Sequence, residues 1–319
     1  MKHTEPRLFI YIPTFDRPEI LRKQLDLLAP QLLGYPDRVR LLVNDNCSPN
    51  GVNDCLREKY HEPNIEFRQN PNNIGMSANA ALGFVFAEPD EFLWILSDND
   101  HVGSCAVEKI LNMLCSNVDL FAVSFHVAEK QSYTVRFDAH WDFLFATFGL
   151  ISGAVYNMKT FGPFIENAFN YHNSCYPHLA VLFSAIKSVG PLKAIVTPYY
   201  ELFIGPDLRA QGDYSLAVVG KFILATLMPV NFARQFCWNF LLNNGLYFYR
   251  YKDKHYLTYL QSKAVLSSLG FRFRIALRFF GLTEKLVTVM PPFIKRLIIR
   301  NEWLLMKWKT FLTSIEGIF

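Results

Sequence analysis

Asp98 and Asp100 stand one residue apart, directly after the apolar run Phe92-Leu93-Trp94-Ile95-Leu96. Two carboxylates placed so at a strand end can share one hard divalent cation, Mg2+ or Mn2+. The cation's other positions then stay open for water and substrate phosphates. A metal held this way neutralises a diphosphate and stabilises the charge that develops on it as a leaving group. Acidic pairs are common in solvated loops, so the position at an abrupt strand end is what singles this one out. Asp90 and Glu91, just before the same run, read as an ordinary surface turn.

Two more apolar runs stop on polar segments. Leu8-Phe9-Ile10-Tyr11-Ile12 gives way to Pro13-Thr14-Phe15-Asp16-Arg17, and Val39 to Val43 gives way to Asn44-Asp45-Asn46-Cys47-Ser48. A carboxylate at Asp45 can accept a base N–H or a ribose hydroxyl, and Thr14 can orient a nucleoside. Asp45 and Ser48 can equally cap a following helix. The stretch from Asn70 to Asn79 is a polar turn entering a helix, where backbone N–H groups favour an anion. For Asn72 the simpler reading is a connecting turn.

The elements that must position these residues follow from pattern. Pro18 to Leu33 carries Ile20, Leu21, Leu25, Leu28 and Leu32 at helical spacing, with Pro18 in a first turn and Asp16 or Thr14 placed to cap it. Ile65 to Phe67 predicts a weaker third strand, Gly75 to Phe86 a helix, and Phe92 to Leu96 a fourth strand. Leu120 to Phe125, Tyr133 to Phe137, Gly149 to Tyr156 and Lys193 to Thr197 predict further strands, and Pro177 to Ile186 a short helix. This alternation predicts an α/β fold with a doubly wound, mostly parallel sheet. Ligands of such sheets bind beyond the carboxyl ends of the strands, where the three polar segments fall.

The charge is unevenly spread. Residues 221–319 hold 15 Lys/Arg and 4 Asp/Glu, while residues 1–220 hold 17 and 24. A basic, aromatic-rich last third implies an anionic partner. Ile294, Leu297, Ile298, Leu304, Leu305, Trp308, Phe311, Leu312 and Ile315 track one helix face, with Lys295, Arg296, Arg300, Lys307 and Lys309 largely off it. Such a basic amphipathic helix suits an anionic membrane surface, and the alternative is packing on the protein's own core. The apolar stripe would be idle on nucleic acid, so none is expected as partner. Tyr214 to Ala233 comes nearest to a membrane span but is interrupted by Lys221 and Pro229. The expected organisation is a catalytic domain over residues 1–215 and a helical, basic, membrane-associating extension over 216–319. Six scattered cysteines without Cys-x-x-Cys spacing, and an N-terminus without a signal-type apolar core, suit a cytoplasmic protein held on the inner face of the membrane.

Four segments in order resemble the signatures of family 2 glycosyltransferases with the GT-A fold. They are Ile10 to Arg17, Val43 to Ser48, Asn73 to Asn79, and Leu96 to Asp100. The resemblance covers residues 7–125 well and 126–200 loosely. It implies inverting transfer of a sugar from a nucleoside-diphosphate donor to a glycan acceptor. It further implies a nucleotide-sugar site drawn from Pro13, Thr14, Asp16, Arg17, Asp45, Asn73, Asn79, Asp98 and Asn99, with Asp98 and Asp100 at the metal. The family commonly places a Glu-Asp pair before a helix in the second half of the domain. This sequence has Asn173-Ser174-Cys175-Tyr176-Pro177-His178-Leu179 there. His178 is the positional substitute for the base and Glu166 the nearest carboxylate upstream. The Tyr-Pro-His segment resembles a variant of surface-polysaccharide transferases, and a lipid-linked acceptor would account for both halves of the chain.

Two other classes compete. A sugar nucleotidyltransferase also uses a metal and aspartates, but needs a Gly-rich basic loop after the first strand, where Pro13 to Arg17 stand. A non-catalytic protein that binds membranes or anionic surfaces would rest on the tail alone. A dinucleotide oxidoreductase is excluded by the absence of Gly-x-Gly-x-x-Gly after the first strand.

Overall fold

The computed structural model describes residues 5–51, 54–115, 119–124, 131–137, 149–206, 219–231, 233–237, 241, 254–270, 274 and 277. They fall into two compact units, one formed by residues 1–172 with 176–212 and the other by 173–175 with 213–319.

The first unit opens on the apolar run at the N-terminus. β1 (Arg7–Thr14) is central, flanked by β2 (Val39–Asp45) and β4 (Glu91–Ile95), with β3 (Ile65–Gln69) outside β2. These four strands are mutually parallel. Leu8 to Ile12 are wholly buried, as a strand covered on both faces requires. Even-numbered Leu8, Ile10 and Ile12 join one core cluster with Leu21, Leu25 and Leu28 of α1 (Pro18–Leu32) and Val107, Ile110 and Leu111 of α4 (Ala106–Leu114). Odd-numbered Phe9 and Tyr11 point the other way, toward α3 (Met76–Phe86). On that side a Cβ at Gly83 would sit 2.8 Å from the Tyr11 ring, so the glycine lets α3 lie directly on β1.

The sheet continues beyond β4 with β8 (Ala154–Asn157), β6 (Leu120–Ser124), β9 (Leu192–Pro198) and β7 (Tyr133–Phe137), in that order. β8 runs antiparallel to both β4 and β6, β6 and β9 are parallel, and β7 is antiparallel to β9. The result is the expected mixed α/β fold with a mostly parallel half. The predicted strand at 149–156 is shorter and later: Ile151–Gly153 form a 3-10 turn before β8. Among the described residues this unit also holds α2 (Asp54–Lys59), α5 (Met158–Phe161), α6 (Glu166–Asn170) and α7 (Pro177–Val189). A separate two-stranded ribbon pairs β5 (Asp100–Val102) with β10 (Phe203–Pro206), which the sequence pattern did not disclose.

The second unit contains the 3-10 segment Lys221–Leu227 and α8 (Tyr256–Ser268). The amphipathic stripe at 294–315 lies outside the described residues. Among the described residues no helix is long and apolar enough to cross a membrane.

Glu91 corrects the expectation of a surface turn. Asp90 is exposed, but Glu91 is 1% exposed at the start of β4. Arg40 grips it with two hydrogen bonds of 2.7 Å, Arg7 lies 3.4 Å away, and the Glu88 amide donates at 2.8 Å. The Arg40 guanidinium also covers the Phe9 ring at 3.6 Å. A carboxylate so gripped can follow its strand into the core because its charge is neutralised there.

Candidate active site

The carboxyl ends of β2, β1 and β4 lie side by side, and the ladder sets their residues level: Thr14 pairs with Asp45, and the Leu96 amide donates to the Tyr11 carbonyl at 2.9 Å. Thr14 is buried and donates its hydroxyl to Asp98 Oδ2 at 2.7 Å. Arg17 reaches Asp98 Oδ1 at 2.8 Å. Asp98 is fully buried between them. Burial pushes its carboxyl up to about 6, with Arg17 and Thr14 pulling it down and Asp100 pushing it up.

These contacts correct the expected cap. The first helix is preceded by Arg17 at the N-cap without a side-chain cap bond, and Thr14 spends its hydroxyl on Asp98. Asp16 adopts φ of 51°, a left-handed turn that ends β1, and its amide donates to Ser48 Oγ at 2.7 Å. Pro13 pairs with Asn44 in the ladder just before this turn.

Asp45 is fully buried. Its carboxylate accepts from the Ser48 amide and hydroxyl and from Gln69 Nε2 at 3.1 Å. α2 begins only at Asp54, so Asp45 and Ser48 organise the β2 end rather than cap that helix. Gln69 is the exposed member of this group and was not singled out from the sequence. Its signal was available: it is the last residue of β3, whose register sets it level with Asp45.

Five asparagines stiffen the neighbouring loop. Asn44 donates to Asn79 Oδ1 at 2.7 Å and to Asn70 Oδ1 at 3.1 Å, while Asn70 donates to Asn46 and Asn79. Asn46 donates to Asn73 Oδ1 at 2.8 Å, and its own carbonyl accepts from the Ile74 amide at 3.0 Å. Asn73 Oδ1 also accepts from the Gly75 amide at 2.9 Å. Two amides of the turn that reads as an anion site are thus turned onto side chains. Asn79 is 2% exposed and serves as the hub that holds Asn44 and Asn70.

Asp100 leaves the turn after β4 on the other side. Ser152, wholly buried in the 3-10 turn before β8, donates to Asp100 Oδ2 at 2.6 Å and accepts from the Ser97 amide at 2.9 Å. Its carbonyl takes the Trp94 indole N–H at 2.9 Å. Ser97 Oγ donates to Asn99 Oδ1 at 2.5 Å, and Gln24 of α1 donates to the Asp100 carbonyl at 3.1 Å. Burial raises the Asp100 carboxyl, opposed by Ser152, His101 and Arg17. Tyr199, stacked 4.9 Å from Phe203, is pushed up to about 12 by burial and by the charge on Asp100. Ser152 and Tyr199 were invisible to sequence reasoning because only the sheet order brings them here.

The two aspartates therefore differ. Asp98 is fully buried, with Oδ2 accepting from Thr14 and Oδ1 paired with Arg17 but accepting no hydrogen bond, whereas Asp100 is half-buried and accepts from Ser152 through one oxygen. Among the described residues no group of three or more His, Cys, Asp or Glu could hold a metal by protein ligands alone. The donor set of two neighbouring carboxylates fits a cation of the Mg2+ or Mn2+ type completed by phosphate and water.

The two candidate bases differ in exposure. Glu166 is exposed at the start of α6. His178 follows Pro177 at the start of α7, is 2% exposed, and has its ring 6.0 Å from that of Tyr176. Both α6 and α7 pack on α3.

The sequence profile described as Glycosyl transferase family 2 matches residues 9–186, a span that includes every strand end above. No curated protein matches the chain in sequence. Among solved structures, S. aureus TarS 1-349 superposes with a TM-score of 0.57 at 12% identity, covering 88% of this chain and 89% of that one. The same protein in complex with UDP-GlcNAc superposes with a TM-score of 0.57 at 13% identity, covering 88% and 90%. Its complex with UDP gives 0.53 at 11% identity, covering 88% and 89%. These likenesses establish the fold.

Proposed function

The chain belongs to glycosyl transferase family 2, and from that membership we propose that it moves a sugar, with inversion, from a nucleoside-diphosphate donor to a glycan acceptor of a surface polysaccharide. The observation that carries the reading is the Thr14–Asp98–Arg17 cluster at three converging parallel strand ends, with Asp100 beside it. Asp45 and Gln69 present an acceptor and an amide to a nucleobase, and Asp98 and Asn99 face the ribose and diphosphate. The uridine-nucleotide ligands of the TarS structures favour a pyrimidine donor.

A Mg2+ or Mn2+ ion, when bound, supplies charge neutralisation to the departing diphosphate. Asp98 and Asp100 are the residues assigned to hold it, Asp98 through Oδ1, which pairs with Arg17 but accepts no hydrogen bond. Arg17 is part-exposed beside Asp98, where its guanidinium adds positive charge near the same phosphates. Inversion needs a group that takes the acceptor hydroxyl proton. That role goes to His178 or Glu166.

A lipid-linked acceptor at the cytoplasmic face of the membrane accounts for the basic, aromatic last third of the chain. Thermal unfolding against a panel of UDP-, dTDP-, CDP- and GDP-sugars, with and without Mn2+ or Mg2+, tests the donor half. One nucleotide class is expected to raise Tm, and the metal to enlarge the rise. A flat response to every donor contradicts the reading. Of the His178→Ala and Glu166→Ala variants, the one that removes the base is expected to lose about 10²–10⁴-fold in kcat with donor binding kept.

A further inference from the structure

Helix α8 keeps apolar side chains on its outward face as well as its inward one. It buries Thr258, Tyr259, Ser262 and Leu266, and exposes Tyr256 (57%), Leu257 (75%) and Leu260 (41%). A helix that serves only its own core turns leucines in and hydroxyls out. Here Ser262, wholly buried, has its hydroxyl satisfied by the Val219 carbonyl at 2.6 Å. The inward face is therefore settled, and its polar groups belong there. On the opposite side Leu260 stands four residues from Tyr256 and three from Leu257, so it joins them in one apolar patch. Such a patch marks a surface that something else covers.

Charge decides what covers it. Lys254 and Lys263 are exposed on the same stretch. From residue 254 to 283 the chain carries Lys254, Lys263, Arg272, Arg274 and Arg278 and no Asp or Glu. A second copy meeting this face through the same face would set basic surface against basic surface. A layer of anionic headgroups complements it.

We propose that the outward face of α8 seats on an anionic lipid bilayer. Leu257 and Leu260 enter the acyl boundary, the Tyr256 ring lies at headgroup level, and Lys254 and Lys263 extend to the phosphates. This rests on the membrane half of the reading above and is independent of the donor chemistry. It adds to the stripe at 294–315 a helix whose outward face is described.

The full chain is expected to co-sediment with vesicles of phosphatidylcholine and phosphatidylglycerol, and not with phosphatidylcholine alone. The pair Leu257→Gln and Leu260→Gln should weaken that partitioning about tenfold for each leucine removed. An unchanged Tm in that variant shows the fold is kept, as the exposure of both residues leads one to expect. The pair Lys254→Gln and Lys263→Gln should weaken it about fivefold per lysine. Equal binding to neutral vesicles overturns the proposal, as does a leucine variant that sediments like the parent. A leucine variant that abolishes self-association in light scattering but keeps vesicle binding makes the occupant a second copy, and also overturns it. Nucleotide-sugar melting shifts on the same samples separate the two readings. A chain that binds vesicles through α8 yet responds to no donor refutes the transfer reading and leaves this one standing.

Discussion

Glu91 and Asp98 lie at opposite ends of the same strand region, both buried, and are treated in opposite ways. At the amino end Glu91 meets Arg40 in a two-bond fork with Arg7 behind it. Two cations serve this buried carboxylate, and the cluster's other carboxylates, Glu88 and Asp90, are exposed and paired with Arg7 at 3.1 Å each. At the carboxyl end Asp98 shares one part-exposed arginine with the field of Asp100, two residues on. A fold with no use for that arrangement would relieve it by replacing either aspartate. The comparison teaches that burial of an acid is uninformative by itself. The sign of its neighbours distinguishes a structural clamp from a site prepared for a cation and phosphates.

The largest effect that would break this contrast is at Asp100. Asp100→Ala is expected to cost about a thousandfold in transfer, several kcal/mol of barrier, with Tm nearly unchanged. Transfer at the parental rate would remove Asp100 from the site. Glu91→Ala should do the reverse. It leaves Arg40 without its buried partner, costs about 3 kcal/mol in urea unfolding, and spares donor affinity; Arg40 is 30% exposed, so the loss sits at the low end for such pairs. Loss of donor binding without loss of stability would show that the amino end is not merely a clamp.

A smaller effect sharpens the electrostatics. The Asp98 carboxyl sits at about 6 in the folded chain, above its usual value of about 3.9. Between those values the folded state binds more protons than the unfolded one, so stability falls as pH rises and levels off above about 6. In metal-free chelating buffer the fall should amount to about 3 kcal/mol, and Asp98→Asn should flatten it. A slope of opposite sign in the parent would mean that Arg17 and Thr14 outweigh burial. The smallest effect is at Gln69. Gln69→Ala should weaken binding of the preferred nucleoside diphosphate by about 1 kcal/mol and narrow its margin over other bases, as read by calorimetry. An unchanged margin would confine Gln69 to steadying Asp45.

The strand ends were legible because buried parallel strands are written as continuous apolar runs, and Leu8 to Ile12 and Phe92 to Leu96 stop on polar residues. The helices α1, α3 and α7 showed through their apolar spacing and their prolines or small residues. Less legible were contacts set by sheet order. Ser152 reaches Asp100 only because β8 inserts beside β4, and the β5–β10 ribbon joins segments about a hundred residues apart. Glu91 misled because a charged residue at a strand start looks like the turn before it until Arg40 is placed across the sheet. Thr14 was read as a cap or a nucleoside contact, and its bond to Asp98 is a pairing no local pattern encodes. The ion pair between Arg17 and Asp98 lies on the same footing, since 81 residues separate them in sequence.

Gly83 carries a consequence for the history of this chain. The Cβ it lacks would fall 2.8 Å from one atom of the Tyr11 ring and 3.3 Å from Ile95, and Tyr11 in turn donates its phenol hydroxyl to the carbonyl of Asn79. Positions 11 and 83 thus share one fixed volume beneath the asparagine loop. Descendants that enlarge residue 83 must shrink residue 11 in the same lineage, and with it give up the bond to Asn79. The two sites should therefore be inherited as a pair, a coupling that a substitution at either one alone would expose.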